Sequence, residues 1–114
     1  MTDCLFCRIV NKEIPATIRY EDDTFLAFAD ISPQAPSHTL IIPKRHLDSL
    51  SAATDEEAVL LGKLLLAAQQ VARQEGLLEG GYRVVINTGE AGGQTVQHLH
   101  AHLLGGRDMQ WPPG

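Results

Sequence analysis

The apolar positions along the chain fall into short runs, and their spacing changes from one run to the next. Residues 5–10 form a brief apolar patch with room for about one helical turn, closed off by Pro15. Residues 17–21 and 24–29 read as two strands, with Asp22 and Asp23 between them as a tight hairpin turn. Residues 32–37 carry two prolines and read as a loop. The β-branched, apolar run 38–42 predicts a central strand that stops at Pro43.

The period then becomes helical. Thr54 with Glu57 three residues on makes a capping box. Leu61, Leu64, Leu65, Ala68, Val71 and Ala72 recur on one face, and Gly76 suits the left-handed stop. Residues 82–87 predict a fourth strand, 89–94 a glycine-rich loop, and 98–104 a fifth strand ended by Gly105-Gly106. The tail, Trp111-Pro112-Pro113-Gly114, fits no regular element. The expected fold class is α+β: a five-stranded antiparallel sheet, one long helix on a face, and a short N-terminal helix. The expected organisation is one domain over residues 1–114.

Composition narrows the partners. The chain has 114 residues, 44% hydrophobic and 20% charged, with a net charge of -5. No run of Lys or Arg offers the basic face that a duplex nucleic acid needs, so nucleic acid is not expected as a partner. A small nucleotide needs only a local anion site. The start lacks a basic, then apolar, leader pattern, and no apolar run is long enough to span a bilayer. No membrane role is expected, and the cytosol is the expected location. Thiols stay reduced there, so Cys4 and Cys7 are expected as thiols or metal ligands rather than a disulfide.

Candidate chemistry concentrates near the C-terminus, in Gln97-His98-Leu99-His100-Ala101-His102-Leu103-Leu104. On a strand, His98, His100 and His102 would share one face, neighbours about 6.5–7 Å apart. Leu99, Ala101 and Leu103 would take the other face, under the helix. Three readings compete: a polar sheet edge, a metal cluster, or catalysis by an imidazole that titrates near neutral pH. Alternate side chains on one strand run parallel, which suits three metal ligands poorly. The preceding loop, residues 87–95, mixes glycines with amide and hydroxyl side chains. Gly92-Gly93 would let successive backbone N–H groups face an anion. Beside it, the catalytic reading is favoured.

The run from His98 to Leu104 resembles the His-φ-His-φ-His-φ-φ signature of the histidine triad (HIT) family of nucleotide hydrolases and transferases. Lys12-Glu13-Ile14-Pro15-Ala16, the stretch from Asp30 to His38, and the tail from Gly105 to Gly114 resemble the Hint branch. The transferase branch usually has Gln where His102 stands. The resemblance implies a homodimeric purine nucleoside phosphoramidase. It would cleave AMP or GMP from an amine, and related acyl-nucleotides, through a nucleotidyl-histidine. It implies His100 as nucleophile and His38 as its support. His102 and Asn87 would act at the phosphate, with the Thr95 hydroxyl, Gln94, and the backbone of Gly93 and Val96 completing the anion site. Asp30 would meet the ribose hydroxyls, and Phe6, Ile9, Ile14, Phe28 and Ile31 would line a purine slot. Trp111 would reach toward the partner's site. The alternatives are a dinucleoside polyphosphate hydrolase and a non-catalytic nucleotide-binding module.

Cys4-Leu5-Phe6-Cys7 has no βαβ context for a redox pair. It stands as two buried thiols or as half of a zinc site. Several HIT relatives hold zinc with this arrangement, which implies Cys4, Cys7, His46 and His98 as a structural zinc site. Without zinc, His98 would instead assist at the leaving group.

Overall fold

The computed structural model describes residues 3–114. The elements run α1 (Leu5–Val10), β1 (Ile18–Glu21), β2 (Phe25–Ala29), β3 (Ser37–Pro43), α2 (Ala58–Gln74), β4 (Tyr82–Val85) and β5 (Ala101–Gly105). The strands form one sheet in the order β1-β2-β3-β5-β4, each neighbour antiparallel. The expected α+β architecture is therefore present. The long crossover through α2 carries the chain from β3 to β4, and β5 then pairs with both.

The first hairpin closes on Asp22. Its Oδ1 accepts from the backbone N–H of Thr24 at 2.8 Å and of Phe25 at 2.7 Å, so the carboxylate takes over two turn donors. The long helix starts where its sequence signals. Thr54 and Glu57 form a reciprocal capping box, with Glu57 Oε1 accepting from Thr54 N–H at 2.7 Å. Its first turn, Asp55–Glu57, is 3₁₀ rather than α. The helix ends at Gln74, and Gly76 just beyond it has a φ of +72° that lets the Leu77 N–H return to the Ala72 carbonyl at 2.9 Å.

The sheet separates two cores, as a period of two requires. Phe25, Ala27, Ile41, Leu99, Ala101 and Leu103 pack against Leu64, Ala67, Ala68, Val71 and Ala72 of α2. On the opposite face, Leu26, Phe28, Leu40 and Ile42 meet Phe6 and Ile9 of α1. One helix position differs from expectation. Leu65 is 53% exposed, and Ala67 is buried in its stead. The buried positions 64, 67, 68, 71 and 72 make a narrow stripe, and residue 65 lies about 100° around the helix from 64.

Two strands are shorter than the sequence suggests. β4 stops at Val85 instead of Asn87, and β5 starts at Ala101 instead of His98. The second difference has a physical cause. Ala101 pairs with Ile41, two residues before Pro43, which has no N–H to extend the ladder. Before that pair the chain leaves the sheet, and Leu99 donates to the Leu47 carbonyl at 2.7 Å. His98 and His100 thus sit in an irregular lead-in, not in the strand.

The capping box gives the first prediction. Thr54→Ala removes an acceptor from the Glu56 N–H, bonded at 3.2 Å, and should destabilise the fold by about 1 kcal/mol. Urea unfolding followed by circular dichroism measures it. A change below about 0.3 kcal/mol would show that Glu57 alone holds the helix start.

Candidate functional site

His98, His100 and His102 share a side of the sheet but differ in every contact. His100 is buried, and its Nδ1 donates to the His98 carbonyl at 2.7 Å. That bond fixes the proton on Nδ1 and leaves Nε2 with a lone pair. Phe6 stands edge-on to the His100 ring, with centroids 5.1 Å apart.

His102 has the opposite tautomer. The Gln34 N–H donates to His38 Nδ1 at 3.0 Å, so His38 carries its proton on Nε2. His38 Nε2 donates in turn to His102 Nδ1 at 2.9 Å, which leaves the proton of a neutral His102 on Nε2. Asp30 flanks the relay: its Oδ2 is 3.4 Å from His38 Nε2 and 4.0 Å from His102 Nδ1. Its Oδ1 accepts from the Ser32 N–H at 2.8 Å. The two imidazoles at 100 and 102, with ring centroids 5.1 Å apart, therefore pair a free acceptor nitrogen with a donor N–H.

Both rings border a cavity of about 710 Å³. Phe6, Ile9, Ile14, Phe28, Asp30, Ile31, Thr95 and Val96 line it. Ile31 is almost fully exposed and stands at the mouth. Leu5, Thr17, Ala29 and Leu40 also line it, with no signal in the sequence beyond ordinary apolar or turn character, as do Pro15 and Ala16. His38, His98, Asn87, Gly93, Gln94 and Trp111 are not among its walls. Trp111 is 82% exposed in the tail. That tail is tied to β4 by Arg83, which donates to the Gln110 carbonyl at 2.8 Å.

The glycine-rich loop spends more of its polar groups on itself than its sequence suggests. The Gly93 N–H bonds the Glu90 carbonyl and the Gln94 N–H bonds the Gly89 carbonyl, both at 3.0 Å. Those two amides close the turn and do not face an anion. Asn87 donates its side-chain amide to the Gly92 carbonyl at 2.8 Å. Gln94 is buried; its Oε1 accepts from the Gly89 N–H, and its Nε2 donates to the carbonyls of Asp48 and Val96. The amides of Thr95 and Val96 have no such bond among the described residues. A Cβ at Gly92 would lie 2.3 Å from the Thr88 carbonyl, so only glycine fits this turn.

A second cluster lies behind the first. The ligand atoms of Cys4, Cys7, His46 and His98 lie within 4.8 Å of one another. His98 Nε2 donates to the Pro43 carbonyl at 2.8 Å, and His46 Nε2 bonds Asp48 Oδ1 at 2.6 Å. Both bonds leave Nδ1 as a lone pair, and the two Nδ1 atoms are 3.2 Å apart. Two facing lone pairs cannot bond each other. Cys4 Sγ is 3.3 Å and Cys7 Sγ 3.6 Å from His98 Nδ1, and Cys7 Sγ is 3.4 Å from His46 Nδ1. A tetrahedral ion with Zn–N about 2.0–2.1 Å and Zn–S about 2.3 Å sets N···N near 3.3 Å and N···S near 3.5 Å. The donor set and its spacing fit such an ion. Asp30, His38 and His102 also converge, but their lone pairs serve the relay just described. Asp48 carries no signal in the sequence beyond its place two residues from His46.

Burial pushes His102 down to about 4, helped by neighbouring His100 and His38 and opposed by Asp30. Burial also lowers His38, again against Asp30. The fold therefore favours neutral imidazoles. For His102 that contribution to stability is complete above the unfolded value of about 6.5. It is lost as pH falls from there toward 4, where the folded protein takes up the proton. A histidine NMR titration should place the His102 midpoint well below 6.5, and Asp30→Asn should lower it further. A His102 midpoint at or above 6.5 would contradict the burial assigned to it.

Comparison with known proteins agrees with this geometry. The HIT domain family matches residues 11–109. An uncharacterized HIT-like protein of Synechococcus elongatus is 61% identical over 112 residues, covering 98% of this chain and 97% of the relative. The 14 kDa zinc-binding protein of Zea mays is 57% identical over 112 residues, covering 96% of this chain and 87% of the relative. The crystal structure of a HIT family hydrolase from Legionella pneumophila superposes with a TM-score of 0.96 at 54% identity, covering 98% of this chain and all of that one. A histidine triad nucleotide-binding protein from Candida albicans superposes with a TM-score of 0.82 at 33% identity, covering 96% of this chain and 83% of that one. With its sheet order and its match over most of the chain, this protein belongs to the HIT family.

Proposed function

We propose that the protein hydrolyses the P–N bond of purine nucleoside 5'-phosphoramidates of the AMP-amine or AMP-lysine type, and related acyl-nucleotides, releasing AMP or GMP. The observation that carries this reading is the His100 Nδ1 bond to the His98 carbonyl, at the wall of the large cavity. It leaves Nε2 as a lone pair able to attack phosphorus. The new N–P bond replaces the P–N bond to the amine, which departs with a proton taken from solvent. Water then attacks the nucleotidyl-histidine: its oxygen bonds phosphorus as the N–P bond to His100 breaks, and it returns a proton to solvent.

The remaining groups divide the substrate between them. Neutral His102 donates its Nε2–H to a phosphate oxygen, and His38 positions it. The Thr95 hydroxyl and the amides of Thr95 and Val96 meet the same phosphate. Asn87, Gly93 and Gln94 hold the loop that presents them. The Asp30 carboxylate accepts from the ribose hydroxyls. Phe6, Ile9, Ile14, Phe28 and Ile31 enclose the purine.

Cys4, Cys7, His46 and His98 hold one zinc ion in this reading. With two thiolates and two neutral imidazoles closing its shell, the metal supplies a structural brace for α1 and no reactive water. A reducing compartment, the cytosol, keeps both thiols available. The functional unit is a homodimer. An edge strand at β4 and the exposed Trp111 on a tail held to it support an arm that reaches the partner's site.

Two experiments test the reading. Adenosine 5'-phosphoromorpholidate should be cleaved faster than diadenosine polyphosphates. His100→Ala should lose at least about 10³-fold in kcat while still binding AMP. Preference for the polyphosphate would reassign the substrate class, and unchanged turnover in the variant would remove His100 as nucleophile. For the metal, protein purified without a histidine tag should contain about one zinc per chain by elemental analysis. Cys4→Ser should lose that zinc and melt at a lower temperature. Wild-type protein holding less than about a tenth of an equivalent would exclude the site.

A further inference from the structure

We propose that Asp48 is a positioning residue of the Cys/His cluster, setting its affinity for a divalent metal through His46. The inference rests on the zinc reading above. His46 can offer a ligand from either ring nitrogen, and a metal needs one particular nitrogen free and aimed inward. Asp48 Oδ1 lies 2.6 Å from His46 Nε2, a short charge-assisted bond that places the ring proton on Nε2. The lone pair is then on Nδ1, the atom 3.4 Å from Cys7 Sγ and 3.2 Å from His98 Nδ1. The same bond fixes the orientation of the ring.

The other imidazole of the cluster is oriented differently. His98 is fully buried, and its outer nitrogen bonds the Pro43 carbonyl. Its packing and main-chain partner hold it in place regardless of any single side chain. The His46 side chain is 39% exposed, and Asp48 is its one side-chain partner outside the cluster among the described residues. The carboxylate therefore controls the looser half of the donor set.

Asp48 is itself held from behind. Its carbonyl accepts from Gln94 Nε2 at 2.8 Å, and the neighbouring Leu47 carbonyl accepts from the Leu99 N–H at 2.7 Å. These bonds fasten residues 47 and 48 to the chain on either side of Val96-Gln97-His98. A separate cavity of about 580 Å³, lined in part by Asp3, Cys4, His46 and Asp48, leads to the cluster. Two carboxylates at that mouth attract a cation toward the thiols.

The test is zinc affinity of the full-length, reduced, tag-free protein, measured by competition with a chromophoric chelator. Asp48→Ala should weaken zinc binding by about 10–100-fold. Asp48→Asn keeps an acceptor for His46 Nε2–H but drops the charge, and should fall between. The Asp48 side chain is 65% exposed, so the chelator-stripped variants should melt with the stripped wild type. That agreement separates positioning of the metal from general damage to the fold. Equal zinc affinity in wild type and Asp48→Ala overturns the proposal. If Asp48→Ala does not fold, equal affinity in wild type and Asp48→Asn overturns it. A wild type that binds no zinc overturns the metal reading itself, an outcome distinct from both.

Discussion

A single buried imidazole ties the two centres together. His98 has no exposed surface, and its Nε2–H is satisfied by the Pro43 carbonyl at 2.8 Å. A buried donor left without a partner costs about 1–3 kcal/mol, so this bond strongly constrains the ring. Its Nδ1 then faces the thiols, and its own main-chain carbonyl accepts from His100 Nδ1. One residue thus points a side chain into the Cys/His cluster and a backbone oxygen at the ring beside the cavity. Moving it would disturb both.

Pro43 is the complement of that arrangement. As a proline it cannot donate to a neighbouring strand, so the ladder between β3 and β5 ends two residues before it. Its carbonyl still accepts, and a side chain takes up that capacity. The local end of the sheet therefore creates the site: the lead-in to β5 is free to bend toward Leu47 and to turn its histidines onto Phe6. Phe6, on a helix of only six residues, bridges the two centres by its contacts with the rings of His98 and His100. So short a helix gains little from its own backbone bonds and depends on what it packs against.

The electrostatics follow from burial rather than from strong charge pairing. Desolvation lowers His38, His98 and His102 alike, while only Asp30 opposes it at the relay. Neutral rings keep distinct donor and acceptor nitrogens, which a protonated ring does not. His100 and His102 offer opposite hydrogen-bonding character with ring centroids 5.1 Å apart.

Local period and local chemistry were enough for much of the fold. The helix and its cap at Thr54, the hairpin at Asp22, the class of the fold and the facing of Leu99, Ala101 and Leu103 toward the helix were all legible in the sequence. So was the family, through the resemblance of its motifs. Folding alone set where β5 begins, because that depends on the missing N–H of a proline on a strand distant in the chain. It also decided that Gly93 and Gln94 close their own turn, and that Asp48 stands on His46. Above all it decided the tautomers. His100 and His102 are the same residue type two places apart, and nothing in their spacing separates them. Their partners do: a carbonyl at Nδ1 makes one ring an acceptor at Nε2, and a histidine N–H at Nδ1 makes the other a donor there.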